Sequence, residues 1–250
     1  MKFDPIHQFQ IHDLIPMLNI GGRNIAFTNS ALVMLIIVAA ISILLIGATA
    51  PRAVVPGRLQ SIAELSYEFV ANMLRSSAGP EGMKFFPFVF TLFMFVLFAN
   101  LIGLIPYSFT VTSQLIITAS LALTVFVIVV VYGFWRHGLH FLNLFVPKGV
   151  PVYILPAIVA IEVLSFLSRP VSHSVRLFAN MLAGHITLQV FGGFVIMLAA
   201  WGVLGWFGAT LPFIMVLLLT ALELLVAALQ AYVFAILTCI YLNDAIHPGH

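Results

Sequence analysis

Two arginines and two histidines lie within the eighteen-residue stretch SRPVSHSVRLFANMLAGH, which runs from position 168 to 185. Apolar sequence continues on both sides, where a membrane helix is expected. An arginine at mid-bilayer costs about 3 kcal/mol even on lenient insertion scales. Arginine keeps its proton, whereas histidine and glutamate exchange protons near neutral pH. A permanent cation with titratable groups on separate helix faces suits a gated proton path.

A helix drawn through Arg176 carries a stripe of polar residues along one face. Side chains three or four positions apart share a face, and this spacing joins Glu162, Ser165, Arg169, Ser172, Arg176 and Asn180. His185 follows Arg176 by nine residues and therefore points to the opposite face. One helix is thus predicted to present two polar surfaces.

A further polar face is predicted near the end of the chain. Glu223 and Gln230 share this face, and Tyr241 returns to it. A carboxylate left alone in an apolar environment is costly, so Glu223 needs a partner from another helix. His185 and Arg176 are the basic candidates within reach of a helical hairpin.

Polar side chains inside membranes also join helices without any further role, through hydrogen bonds worth about 0.6–2 kcal/mol. That interpretation is at least as good as a functional one for Asn100, Ser165 and Gln230 taken singly. It is weak for Arg176, because a helix interface can be made without the cost of a cation. Function is also favoured for Glu223 and His185.

The composition indicates a membrane protein rather than an enzyme of the aqueous phase. Of the 250 residues, 62% are hydrophobic and only 7% are charged, against about 25% charged in soluble domains. The single cysteine, Cys239, excludes an intrachain disulfide and a cysteine metal cluster. The sequence shows no nucleophile–base pair, zinc spacing or Gly-rich phosphate loop. We therefore expect no metal, cofactor, bound nucleotide or nucleic acid.

The hydrophobic pattern predicts an all-α integral membrane protein with one membrane domain from 27 to 250. A polar N-terminal arm precedes it, at 1–26. Upright spans are predicted at 27–50, 85–105 and 111–135, a surface amphipathic helix at 57–76, and longer helices at 152–200 and 212–243. The first span ends in Ala48-Thr49-Ala50, like a secretion signal, but it is too long and begins too far from the N-terminus.

The last two apolar stretches are too long to cross a bilayer upright. A helix over 152–200 would be roughly 70 Å long, more than twice the hydrocarbon thickness of about 30 Å. We predict a strongly tilted hairpin that turns at Gly202, Gly205, Gly208 and Pro212. Four short upright spans are the alternative, with breaks at Pro170 and Gly192-Gly193.

The distribution of lysine and arginine orients the chain. The segments 51–84 and 136–151 carry these residues, and the connection 106–110 carries none. Both basic segments are therefore predicted to face the cytoplasm, or the matrix of an organelle. The amphipathic helix is expected either on the membrane surface or docked on protein.

Several motifs resemble a known family. RLFANMLAGH at 176–185, SRPVS at 168–172, NLIGLIP at 100–106 and LELLVAALQAYVFAILTCIYL at 222–242 are similar to subunit a of the F-type ATP synthases. The resemblance covers about residues 30 to 243. The Arg-Leu-Phe-x-Asn-Met core is its most specific part.

The resemblance implies a proton-translocating stator subunit that is not an enzyme by itself. Its expected partners are a ring of c subunits, b-type stalk subunits and the remaining F1Fo subunits. In such proteins protons reach the ring through one aqueous half-channel and leave through a second. The essential arginine between them falls on Arg176, with Asn180 near it.

Channel positions also carry over by resemblance. One half-channel falls on Glu162 and Ser172. The other falls on Asn100, His185, Glu223 and Gln230. Arg169 and Tyr241 are possible additions, Arg169 on the exit side.

This chain departs from the best-known enterobacterial pattern at several positions. His185 stands in place of an acid and Glu223 in place of a histidine, an exchange that resembles mitochondrial and α-proteobacterial members. The imidazole–acid pair favours protons over sodium ions. Gly103 replaces an aspartate, and no role is assigned to it.

Two other functions and two locations stay open at this point. A self-contained proton-coupled secondary transporter is the main alternative, although the internal repeats of such folds are not evident. A purely structural membrane anchor leaves Arg176 unexplained. The expected location is the bacterial inner membrane, as a multi-pass protein, with the mitochondrial inner membrane as the alternative.

Overall fold

The computed structural model describes residues 10–20, 23–49, 57–105, 108–146 and 153–248. Six α-helices dominate this part of the chain: α1 (Asn29–Thr49), α2 (Arg58–Gly82), α3 (Phe86–Gly103), α4 (Leu115–His137), α5 (Leu155–Ala199) and α6 (Val203–Ile246). Five helical segments are long and apolar enough to cross a membrane. The predicted all-α integral membrane protein is confirmed.

A short β-hairpin precedes the first helix, where only a polar arm was predicted. Strands β1 (Asp13–Ile20) and β2 (Arg23–Thr28) pair antiparallel. Asn29 ties the hairpin to α1, because its side-chain amide donates to the carbonyl of Gln10 while its oxygen accepts from the amide of Ser30. The hydroxyl oxygen of Thr28 accepts from the amide of Ala31 at 3.3 Å, and this N-cap bond explains why α1 begins at Asn29.

Helix α2 continues past the predicted amphipathic segment and bends near its end. Gly79 lies in the left-handed region with φ of 66°, and Pro80 follows it. The second half of α2 buries a face that includes Val70 and Leu74. In the first half, Leu59 and Leu65 expose their side chains. A membrane-surface position for this half remains a prediction.

The connection between α3 and α4 is longer than predicted, and α4 begins at Leu115 instead of position 111. Val111–Ser113 form a buried 3₁₀ turn. The hydroxyl of Ser113 donates to the carbonyl of Thr110 at 2.7 Å. This local hydrogen bond stabilises the turn, which directly precedes α4.

Helices α5 and α6 are continuous over 45 and 44 residues, so the alternative of four short upright spans, with breaks at Pro170 and Gly192-Gly193, is wrong. Each helix is about 66–68 Å long at 1.5 Å per residue. A membrane helix tolerates an internal proline where neighbouring groups satisfy the freed carbonyl. The lengths agree with the tilted hairpin, which remains a prediction.

The turn between α5 and α6 is shorter than the glycine pattern suggested. It spans only residues 200–202, and Gly202 has a left-handed φ of 77°. Gly205 lies inside α6, where an added methyl group would overlap the carbonyl oxygen of Leu198. Pro212 also lies inside α6, so the predicted helix start at 212 is wrong.

The described residues form two compact units. Helices α5 and α6 each contribute residues to both units. The first unit takes residues up to Ile41, Phe95–Gln114 and Leu177–Gln230, and the second takes Ser42–Met94, Leu115–Arg176 and the residues after Gln230. Each unit holds its own polar cluster. The single membrane domain predicted for 27–250 remains a prediction.

Candidate functional site

The first polar cluster belongs to the first unit and is built around His185. His185 lies on α5 and is buried, with 7% of the residue exposed. Its Nε2 atom lies 3.2 Å from Oγ1 of Thr110, a fully buried residue of the α3–α4 connection. The same hydroxyl lies 3.4 Å from the carbonyl oxygen of Gly103, to which it donates.

This arrangement suits both tautomers of the imidazole. A threonine hydroxyl donates one hydrogen bond and accepts others. When it donates to the carbonyl of Gly103, it can accept from a protonated Nε2 of His185. When it turns towards Nε2, it can donate to that nitrogen. The Thr110 hydroxyl can therefore follow a change in the position of the His185 proton.

Gly103 has a packing role that the sequence did not indicate. A methyl group added to Gly103 would come within 2.8 Å of Cγ2 of Thr110. Contacts under 3.0 Å force a shift of the neighbouring group, and Thr110 is fully buried. The absence of a side chain at Gly103 thus lets Thr110 reach His185.

Glu223 is half-buried on α6, and its carboxylate packs against the backbone of α5 at Gly184. A methyl group at Gly184 would overlap Oε1 of Glu223. Its other oxygen, Oε2, is buried and has no hydrogen-bond partner among the described residues. Gly184 directly precedes His185, so the structure brings the carboxylate to the α5 segment that carries the imidazole.

Asn100 joins α3 to α6 next to this cluster. It is fully buried, and its Nδ2 donates to the carbonyl of Ala227 at 3.2 Å. Ala227 lies one turn after Glu223 on α6, and Gln230 follows as a half-buried residue. The Oδ1 atom of Asn100 has no partner in the described part of the chain. Asn100 therefore supplies both a helix contact and a spare acceptor.

The second polar cluster belongs to the second unit and is built around Arg169. Its guanidinium bonds to Oδ2 of Asp244 on α6 at 2.6 Å. The rings of Phe166 and Tyr241 lie 5.1 and 5.0 Å from the guanidinium carbon. Both charged side chains are partly exposed, at 20% and 25%. The ion pair and two cation–π contacts hold this arginine in place.

The remaining residues predicted for this side lie along α5. Glu162 is half-buried two turns before Arg169, and Ser172 is exposed. Arg176 is exposed and has no ion pair among the described residues. The helix thus presents a bare guanidinium on a largely apolar surface.

Asn180, described with the first unit, is also exposed on α5, and so is Ala183. These residues form no cluster with His185, which is buried. The observation agrees with the prediction that α5 presents two different surfaces, one enclosed and one open.

Three residues that the sequence did not single out take part in these clusters. Thr110 contacts His185, Asp244 pairs with Arg169, and His173 packs beside Tyr241. Thr110 and Asp244 reach partners 75 positions away, a distance that no local spacing reveals. The only sequence signal for His173 was an imidazole inside the stretch at 168–185.

Comparison with known proteins gives consistent matches. Residues 31–243 match the family model described as ATP synthase A chain. A protein of Rhodopseudomonas palustris strain TIE-1 named ATP synthase subunit a is 67% identical over 250 residues, covering all of both chains. One of Xanthobacter autotrophicus with the same name is 66% identical over 250 residues, again covering all of both chains.

Proposed function

Because the chain belongs to the ATP synthase A chain family, we propose that it carries protons to and from a ring of c subunits through two half-channels, with Arg176 between them. The observation that carries this proposal is the exposed guanidinium of Arg176, which has no ion pair in the described part of the chain. A cation on a membrane helix is costly unless it meets an opposite charge. A carboxylate on each c subunit supplies that charge.

The first cluster provides groups for one half-channel. Glu223 and Asn100 each keep a buried oxygen without a partner among the described residues. Buried polar atoms of this kind are normally satisfied by water. Beside them, the contact between His185 and Thr110 allows a proton to change position on the imidazole. Water, carboxylate and imidazole together make a chain of proton acceptors and donors.

The second cluster provides groups for the other half-channel. Glu162 and Ser172 offer a carboxylate and a hydroxyl on α5. The pair between Arg169 and Asp244 keeps one basic and one acidic side chain at a partly exposed position. Because Arg169 neutralises Asp244, a proton leaving this side does not meet an uncompensated negative charge.

Arg176 acts by charge alone, since a guanidinium does not release its proton at working pH. It attracts a deprotonated carboxylate of the ring and repels a proton that would pass directly from one half-channel to the other. Moving one charge through 100 mV is worth about 2.3 kcal/mol. A leak past Arg176 would dissipate that energy on every proton.

The chain works only as part of a complex. It is a multi-pass membrane protein with bacterial relatives, and we place it in the bacterial inner membrane. Its sequence carries no Gly-rich phosphate loop, so we assign the synthesis of ATP to other subunits of the F1Fo complex. The c-ring and b-type stalk subunits are its proposed partners. Family membership removes the basis for a self-contained transporter.

The decisive experiment replaces Arg176 in the assembled complex. ATP-driven acidification of membrane vesicles is expected to fall to background in Arg176→Ala, while c subunits still copurify with the chain. Arg176→Lys, which keeps a positive charge without the planar fork, is the comparison variant. Full pumping by Arg176→Ala would refute the proposal.

A further inference from the structure

His173 is a buried imidazole that the two half-channels described above do not use. It lies on α5 between Arg169 and Arg176, and only 4% of the residue is exposed. Its ring meets the ring of Phe234 edge-on, with 3.8 Å between centroids. The ring of Tyr241 lies 5.9 Å away. His173 therefore lies in a site lined by these two aromatic rings of α6, which we call the aromatic box.

Neither ring nitrogen of His173 has a hydrogen-bond partner among the residues that the structure describes. The next residue, Ser174, is equally buried, yet its hydroxyl donates to the carbonyl of Val171 at 3.0 Å. Buried polar atoms rarely stay unpaired, and water takes the place of a missing protein partner. We therefore expect water to bind the two ring nitrogens of His173.

An apolar residue would fill the same box without this requirement. The edge-on contact with Phe234 can satisfy at most one N–H group, since an aromatic face only accepts. The second nitrogen of a neutral imidazole is an acceptor and needs a donor. Packing alone therefore does not account for a histidine at this position.

The charged and titratable groups packed at this site are few. On α5 they are Arg169 and Arg176, three or four positions from His173. On α6 they are Tyr241 and Asp244, and Asp244 is held by Arg169. His173 is the one imidazole among them, and its two nitrogens offer a donor and an acceptor at separate positions of one ring.

We propose that His173 is a further residue of the proton path on the Arg169–Asp244 side. The N–H group of the ring donates to one water and the bare nitrogen accepts from another, so His173 holds in line the water molecules through which a proton passes, and the ring keeps its own proton. This inference rests on the proposed function of the chain as a proton-channel subunit.

The test compares His173→Leu and His173→Gln in the complete complex in membrane vesicles. Leucine fills the box without hydrogen bonds, whereas glutamine keeps one donor group and one acceptor. ATP-driven pumping, and passive proton flux after removal of the soluble sector, are both measured against the amount of assembled complex. His173→Leu is expected to lower both rates about tenfold or more, and His173→Gln to recover a large part of them.

Ser174→Ala serves as the matched control, because it removes a buried hydroxyl whose partner is on its own helix. It is expected to pump at the wild-type rate. Wild-type rates in His173→Leu would overturn the inference. Equal losses in the leucine and glutamine variants would also overturn it, since they would indicate a packing role for the ring.

Two further comparisons keep the result decisive. If His173→Leu does not assemble, His173→Gln is compared with His173→Met, which has a similar length and no amide, and equal pumping in the two variants counts against the inference. Arg176→Ala is measured in the same vesicles. Uncoupling in Arg176→Ala together with normal pumping in His173→Leu leaves the proposed function intact and refutes only the role of His173.

Discussion

Arg169 and Asp244 form a 2.6 Å salt bridge between α5 and α6, and the rings of Phe166 and Tyr241 lie on the guanidinium. The pair is partly buried, so neither charge is fully compensated by water. Removing one partner leaves the other charged in a poorly hydrated place. Variants of this pair can therefore show whether it contributes to the stability of the second unit, to proton movement, or to both.

Arg169→Leu is expected to lower the stability of the second unit by about 1–3 kcal/mol, because the partly buried carboxyl group of Asp244 loses its partner. The double variant Arg169→Leu with Asp244→Asn removes both charges and should recover part of that loss. Thermal unfolding of the purified complex in detergent measures the difference. Equal stability of the single and double variants would show that the pair makes no net contribution.

Proton pumping by the same variants addresses their function. We expect the double variant to pump more slowly than wild type even where stability is restored, because the exit side has lost the partly exposed ion pair. Wild-type pumping in the double variant would assign the pair to structure alone.

The helices could be predicted from the sequence because long apolar runs have few alternatives in a bilayer. The link between α5 and α6 could not. One glycine in the left-handed region, Gly202, is enough to turn the chain, while Gly205 serves the close approach of Leu198. Glycines with these two roles look alike in a sequence, so the predicted turn extended too far, to Pro212.

The candidate site was predictable to the extent that its residues follow helical spacing. Arg176 and Glu223 are recognisable because a charged residue within an apolar membrane helix has an energetic cost that a function would explain. Thr110 does not stand out, since a hydroxyl in a short connection carries no periodicity. The partner of Arg169 is 75 positions away, on α6. Which residue of α6 it contacts depends on how α5 packs against α6, and local spacing in the sequence does not contain that information.

Gly184 is expected to be intolerant of a side chain. In Gly184→Ala the added methyl group would overlap the carboxylate of Glu223, which must then move away from α5. We expect at least a roughly tenfold fall in ATP-driven pumping, since small displacements of a proton-transfer group reduce rates strongly. Vesicle acidification normalised to assembled complex is the measurement.

Gly192 provides the matched control for this substitution. It lies two turns further along α5, where a methyl group would meet nothing within 4 Å. Gly192→Ala should therefore pump normally. Similar losses in both alanine variants would attribute the effect to the helix backbone and not to Glu223.

The hydroxyl of Thr110 is expected to matter more than its methyl group. Thr110→Val keeps the shape and removes the hydrogen bond to His185, leaving a buried nitrogen with one contact fewer. Thr110→Ser keeps the hydroxyl and should pump faster than Thr110→Val. Pumping at several pH values measures this difference, because a change in the hydrogen bonding of an imidazole alters the pH profile. Identical profiles in the two variants would exclude a role for this contact.

His185 and Glu223 are expected to act as one unit in proton transfer. The carboxylate of Glu223 lies against Gly184, the residue before His185, so replacing either group interrupts the same chain of donors and acceptors. The cycle consists of His185→Gln, Glu223→Gln and the double variant, with passive proton flux through vesicles stripped of the soluble sector as the measurement. Residues that act together give non-additive losses, so the double variant should conduct about as poorly as the worse single one. Losses that multiply independently would show that the two side chains serve separate steps.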